Sequence, residues 1–152
     1  MHTKEAIITQ IKGQGERMTL PCQVIIDPLC HLSGHQTMQT LQSHLVEQGV
    51  DMPESTVYRV LQWLKDLGIV AQTDLGQSGI TYELVSTPPH HHLVCLICGR
   101  VQDIDDTLMQ PVRDELSAQY GFLPRIDHMA FLGICHSCQA HSFDRRNTHD
   151  GE

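Results

Sequence analysis

The chain has no run of about 18 apolar residues, the length needed to cross a bilayer. No apolar h-region follows MHTKEAIITQIKGQGE. A soluble, cytoplasmic protein with no membrane partner is the expectation. Basic residues are also scarce: 10 Lys and Arg stand against 18 Asp and Glu, for a formal net charge of −8. That sign is unfavourable for a protein resting on phosphates. Neither half compensates, since residues 1–87 and 88–152 each hold five basic and nine acidic residues. Any nucleic-acid contact must use a local patch, or positive charge borrowed from bound cations. A chain of 152 residues suffices for one moderate core, or for two small ones that lean on a metal or a partner. Two small units are expected.

What the chain does have is cysteine and histidine in clusters. Six cysteines without a secretion signal, four of them in two Cys-x-x-Cys pairs, read as metal ligands and not as disulfides. Cys95, Cys98, Cys135 and Cys138 supply four thiolates, a closed tetrahedral set for a structural Zn²⁺ with no open position to activate water. Cys22 and Cys30 fall outside this set and read as buried thiols.

The organisation changes at STPPH, residues 86–90. Before it the text is mostly helical. MHTKEAIITQIKGQG opens with a short amphipathic stretch, TLPCQVIIDPLCHL reads as a proline-limited helix, and GHQTMQTLQSHLVEQG spaces Met38, Leu41, Leu45 and Val46 before a glycine stop. The strongest helix is PESTVYRVLQWLKDLG, in which Val57, Val60, Leu61, Leu64 and Leu67 form a core stripe. Tyr58, Arg59, Gln62 and Lys65 fall elsewhere on the wheel. An aromatic, an arginine and an amide near a helix N-terminus suit the major groove. For an isolated helix the plainer reading is a solvated face. IVAQTDLGQSGITYELV then reads as a β-hairpin, and helices followed by a hairpin make a winged helix, in which the helix before the wing enters the major groove.

After the prolines, HLVCLICGRVQDID reads as two short strands around a Cys-x-x-Cys-Gly turn. DDTLMQPVRDELSAQYG reads as a helix or turn-plus-helix whose first turn Pro111 disfavours, since a proline inside a helix removes a hydrogen bond, and PRIDHMAFLGICHSC as a strand ending in the second Cys-x-x-Cys. In HHH, strand alternation puts His90 and His92 on one face and His91 on the other. His90 and His92 need partners from elsewhere, and spacing alone does not choose among the remaining histidines and carboxylates.

STVYRVLQWLKDLGIV, YEL before the His cluster, HHHLVCLICGRV and the terminal CHSC together resemble the ferric uptake regulator (Fur) superfamily of metal-responsive repressors over nearly the whole chain. The resemblance implies an α+β protein: a winged helix-turn-helix DNA-binding domain over residues 1–86, a small α/β dimerisation domain with a four-cysteine zinc site over 87–140, and a flexible polar tail over 141–152. It implies a homodimer that represses transcription from palindromic, AT-rich double-stranded operators. The regulatory ligands it carries over are His35, Glu83, His90, His92 and Asp103. Three imidazoles and two carboxylates suit Fe²⁺ or Mn²⁺ and tolerate Zn²⁺. Zinc-sensing relatives often place a cysteine in this set and none falls here, so Fe²⁺ leads, with zinc-responsive and manganese- or peroxide-responsive readings behind it. The peroxide-sensing branch looks for an aspartate where Glu83 stands.

Two departures from the family pattern stand out. A third metal site of many members would fall on Pro89, His91, Gln110 and His128; proline cannot ligate and an amide ligates poorly, which leaves His91 and His128 as a degenerate remnant. Cys22 stands where an arginine is usual. Arg17, Ser55, Thr56, Tyr58 and Arg59 match DNA-contacting positions, Tyr58 reading bases and Arg59 a phosphate. From a different class, a zinc-dependent hydrolase also assembles His, Glu and Asp, but the chain has no His-Glu-x-x-His motif.

Overall fold

The computed structural model describes residues 3–32, 34–85, 89–126 and 128–144, with side chains through residue 140. The chain divides into two compact units. The first runs to Thr73 and resumes at Ile80; the second takes Asp74–Gly79 and the chain from Pro89 onward. The expected junction at residues 86–88 lies outside the described residues.

The first unit contains four helices: α1 (Lys4–Gly13), α2 (Leu20–His31), α3 (Met38–Glu47) and α4 (Glu54–Asp66). Thr3 and Thr37 cap α1 and α3, each side chain accepting a backbone N–H three residues on. The proline expected to limit α2 does not end it, because the helix runs past Pro28 to His31. Pro28 has no N–H to reach back along the helix, but its carbonyl accepts from the Leu32 N–H at 2.8 Å. Ile25, Ile26 and Leu29 are buried around it. Burying such side chains stabilises by about 1.5–3 kcal/mol each, enough to offset the missing bond.

Ile7 and Ile11 of α1, Ile25 and Ile26 of α2, Leu41 and Leu45 of α3, and Val57, Leu61 and Leu64 of α4 converge on one core. The expected hairpin is β2 (Val70–Asp74) and β3 (Ile80–Leu84), joined through a 3-10 turn at Gly76–Ser78. Gly79 takes φ +70° and its carbonyl accepts from the Leu75 N–H at 3.0 Å. A left-handed residue there favours glycine. A two-residue strand, β1 (Gln36–Thr37), adds to the hairpin in the order β1-β3-β2, with Gln36 opposite Tyr82 and Thr37 opposite Thr81. So short a strand carries no periodicity to read.

In the second unit, β4 (His90–Cys95) lies between antiparallel β5 (Val101–Asp105) and parallel β6 (Ala130–Gly133). A 3-10 turn (Asp106–Met109) leads into α5 (Gln110–Tyr120), where Pro111 sits in the first turn and so interrupts no helical hydrogen bond. α6 spans His136–Asp144. Its backbone includes residues 141–144, which the sequence assigned to the tail; residues 145–152 lie outside the described residues.

Candidate metal sites and DNA-binding face

Parallel pairing of β4 with β6 sets Cys95 opposite Gly133, and this register brings the two Cys-x-x-Cys pairs together. β6 ends at Gly133, two residues short of Cys135, and Cys138 lies in α6. The second pair therefore straddles a helix start and does not close a strand. The four sulfurs lie within 4.8 Å of one another, with Cys98 Sγ and Cys135 Sγ 3.8 Å apart. Two thiolates at the usual Zn–S length of about 2.3 Å in a tetrahedron stand about 3.8 Å apart, so these residues fit Zn²⁺. The Cys95 thiol is lowered to about 6, first by the Cys135 backbone N–H and then by that of Cys98. Cys138 is raised to about 12 by hydrogen bonding to Cys135 and by burial. Zinc binds thiolates, so uptake releases thiol protons and zinc is held less tightly in acid.

In the first unit, the short strand β1 brings the residue before it against β3: His35 Nε2 is 3.0 Å from Glu83 Oε1. Glu83 is 8% exposed, a depth at which a carboxylate needs a cationic or hydrogen-bonding partner.

In the second unit, His90 and His92 share a face as strand alternation predicts, their ring centroids 4.9 Å apart. Asp103 lies opposite His92 in the β4–β5 register, and its Oδ1 is 2.9 Å from His92 Nδ1. An imidazole held in this way through one nitrogen presents the other as a donor. His92 Nε2 is 2.9 Å from His128 Nε2, and the His128 ring centroid is 4.3 Å from that of His90.

His128, grouped from sequence with His91, is thus placed with His90 and His92. His91 is fully buried and faces the other way, its Nδ1 accepting from the Met129 N–H at 3.1 Å and its Nε2 2.8 Å from Asp106 Oδ1. Arg113 donates to both Asp106 oxygens at 2.6 and 3.1 Å and to the Ile126 carbonyl at 2.7 Å. Gln110 pairs instead with Asp114 at 2.9 Å. Sequence reasoning missed Asp106 and Arg113 because their partner lies across a fold and at no fixed spacing.

On α4, Val57, Val60, Leu61 and Leu64 are buried. Tyr58 is 49% exposed, and Ser55 and Arg59 are exposed. Arg59 reaches Thr56 Oγ1 at 3.4 Å. Lys65 and Gln62 both donate to Gln72 on β2, and Lys65 stays exposed. Arg17, Thr56 and Arg59 line one concavity of ≈ 480 Å³. Cys22, also at its wall, is buried and accepts from the Thr19 hydroxyl at 3.1 Å.

A winged helix, a basic and aromatic helix face, a thiolate cluster and a set of imidazole and carboxylate groups define a metal-responsive DNA-binding regulator. The model of the ferric uptake regulator family matches residues 13–131, and the chain belongs to that family of metal-responsive transcriptional regulators. It is 30% identical over 135 residues to the ferric uptake regulation protein of Neisseria meningitidis serogroup A, covering 88% of this chain and 93% of that protein. The ferric uptake regulator structure from Vibrio cholerae is 30% identical, with a TM-score of 0.61 over 84% of this chain and 98% of that one. The manganese-containing regulator from Pseudomonas aeruginosa, 24% identical, shares the fold with a TM-score of 0.69 over 85% of this chain and 97% of that one.

Proposed function

We propose that the chain is an Fe²⁺-responsive repressor that binds a palindromic, AT-rich operator as a homodimer in the cytoplasm and has no catalytic activity. His35, Glu83, His90, His92 and Asp103 carry the regulatory ion. The observation that supports this reading best is the donor chemistry: preformed imidazole and carboxylate groups, with no thiol among them. Such a set is harder than the thiolate site and suits Fe²⁺ or Mn²⁺. The name of the Neisseria relative, a ferric uptake regulation protein, points to iron.

Because His35 and Glu83 come from the DNA-binding part and the other ligands follow it in the chain, an ion held by all of them favours one orientation of the recognition helices. The metal acts by differential affinity for that state. Zinc in the thiolate site holds the second unit together; the regulatory ion sets DNA affinity. Tyr58 reads bases, Arg59, Ser55 and Thr56 hold phosphates, and Arg17 serves near the minor groove.

The test is operator binding measured by anisotropy on protein that keeps its structural zinc, with and without added Fe²⁺, Mn²⁺ or Zn²⁺. Affinity that ignores every metal overturns the reading, and a response to Zn²⁺ alone at far lower free concentration converts it to a zinc sensor. Glu83→Ala should abolish the metal response while leaving a folded protein. Cys95→Ser should instead cost the folding of the second unit, read by circular dichroism, because binding energy at a structural zinc site is folding energy.

A further inference from the structure

The segment between α5 and β6 is pinned on both sides of His128. Arg113 holds the Ile126 carbonyl at 2.7 Å. Past His128, the Met129 N–H donates to His91 Nδ1 at 3.1 Å and the Met129 carbonyl accepts from the His92 N–H at 2.8 Å. Between these pins the His128 ring stands against His92 and His90.

The tautomers follow from the partners. His91 Nδ1 accepts a backbone proton, so its Nε2–H donates to Asp106. Both nitrogens are engaged and neither offers a lone pair. His92 donates through Nδ1 to Asp103, which leaves Nε2 as a donor toward a cation. Two imidazole nitrogens about 2.1 Å from one ion, at a right angle, stand about 3.0 Å apart; His92 Nε2 and His128 Nε2 are 2.9 Å apart. The donor nitrogens of His90, His92 and His128 all lie within 4.8 Å of one another.

We infer that His128 is a further imidazole ligand of the regulatory ion, and that the His91–Asp106–Arg113 network is a metal-free clamp that presents it. The second unit then takes one exchangeable ion, not two. The Arg113 guanidinium supplies Asp106 with the positive charge that a second cation would otherwise provide. This rests on the regulatory site proposed above.

The test is anaerobic titration with Co²⁺ of the full chain retaining its structural zinc, followed by visible ligand-field absorption and by chelator competition. One Co²⁺ per chain is expected beyond the zinc. His128→Gln should weaken it by at least about tenfold, the scale on which supporting groups alone act, and should change the band positions. Arg113→Met should weaken it without altering stoichiometry, and Arg113→Lys should recover part of the loss.

A second Co²⁺ that disappears in His128→Gln while the first is unaffected overturns the inference. So does a His128→Gln titration like wild type when His90→Ala is weakened, and in that case the proposed function stands. If neither variant changes the titration, the regulatory assignment itself is wrong. Should His128→Gln lose its zinc or its circular dichroism, His128→Asn and the Arg113 pair decide the same question.

Discussion

Asp106 shows how one side chain can serve a site it does not join. Its carboxyl is lowered from the ordinary value by the Arg113 guanidinium first and by His91 second. A depressed carboxyl stabilises the fold above the unfolded pKa of about 3.9 and loses that contribution as pH falls through the folded value. Asp106→Asn should therefore be less stable than wild type at neutral pH. The gap should close in acid, below the ordinary carboxylate range, when urea midpoints are measured at several pH values. A gap that persists unchanged in acid would show that the loss comes from packing and not from the charge pair.

α4 is the element on which the proposed DNA recognition rests. Its buried stripe of Val57, Val60, Leu61 and Leu64 orients the helix, and the wheel then leaves Tyr58 and Arg59 outward. Gln62 and Lys65 share that side by sequence, and both reach Gln72 on β2. Arg59→Ala should weaken binding about equally across operator variants and lower the salt dependence of log K by about 1, as loss of one phosphate contact does. Anisotropy at several salt concentrations checks this. A change confined to one base position would instead make Arg59 a base reader.

At the scale of the molecule, apolar burial is unevenly distributed. The first unit has one contiguous core. In the second, the described residues bury few apolar side chains, and α5 buries none. Leu132, Leu123, Tyr120, Phe122 and Ile134 of the same unit are all between 45% and 85% exposed. A unit so thinly filled needs a metal or a partner, and these side chains are available to a partner copy. Leu132→Glu should shift the protein from dimer to monomer in sedimentation experiments and lower the melting temperature of the second unit. The first unit should keep its own. A variant that stays dimeric at low micromolar concentration would place the interface elsewhere.

Local pattern made much of this readable in the chain. The α4 stripe, the hairpin, the two Cys-x-x-Cys pairs and the opposed faces of His90 and His91 follow from helical period, strand alternation and ligand spacing, which act between near neighbours. The matching of regulatory ligands to His35 and Glu83 needed family resemblance, and their approach depends on β1, two residues that have no period of their own. Pro28 misled because a local rule was overruled by burial. Tertiary structure alone decided where His128 goes and what His91 does. Their partners lie 15 to 38 residues away, and only the parallel register of β4 with β6 and the reach of Arg113 bring them together. Short-range sterics are written into sequence; the meeting of distant side chains is settled by packing.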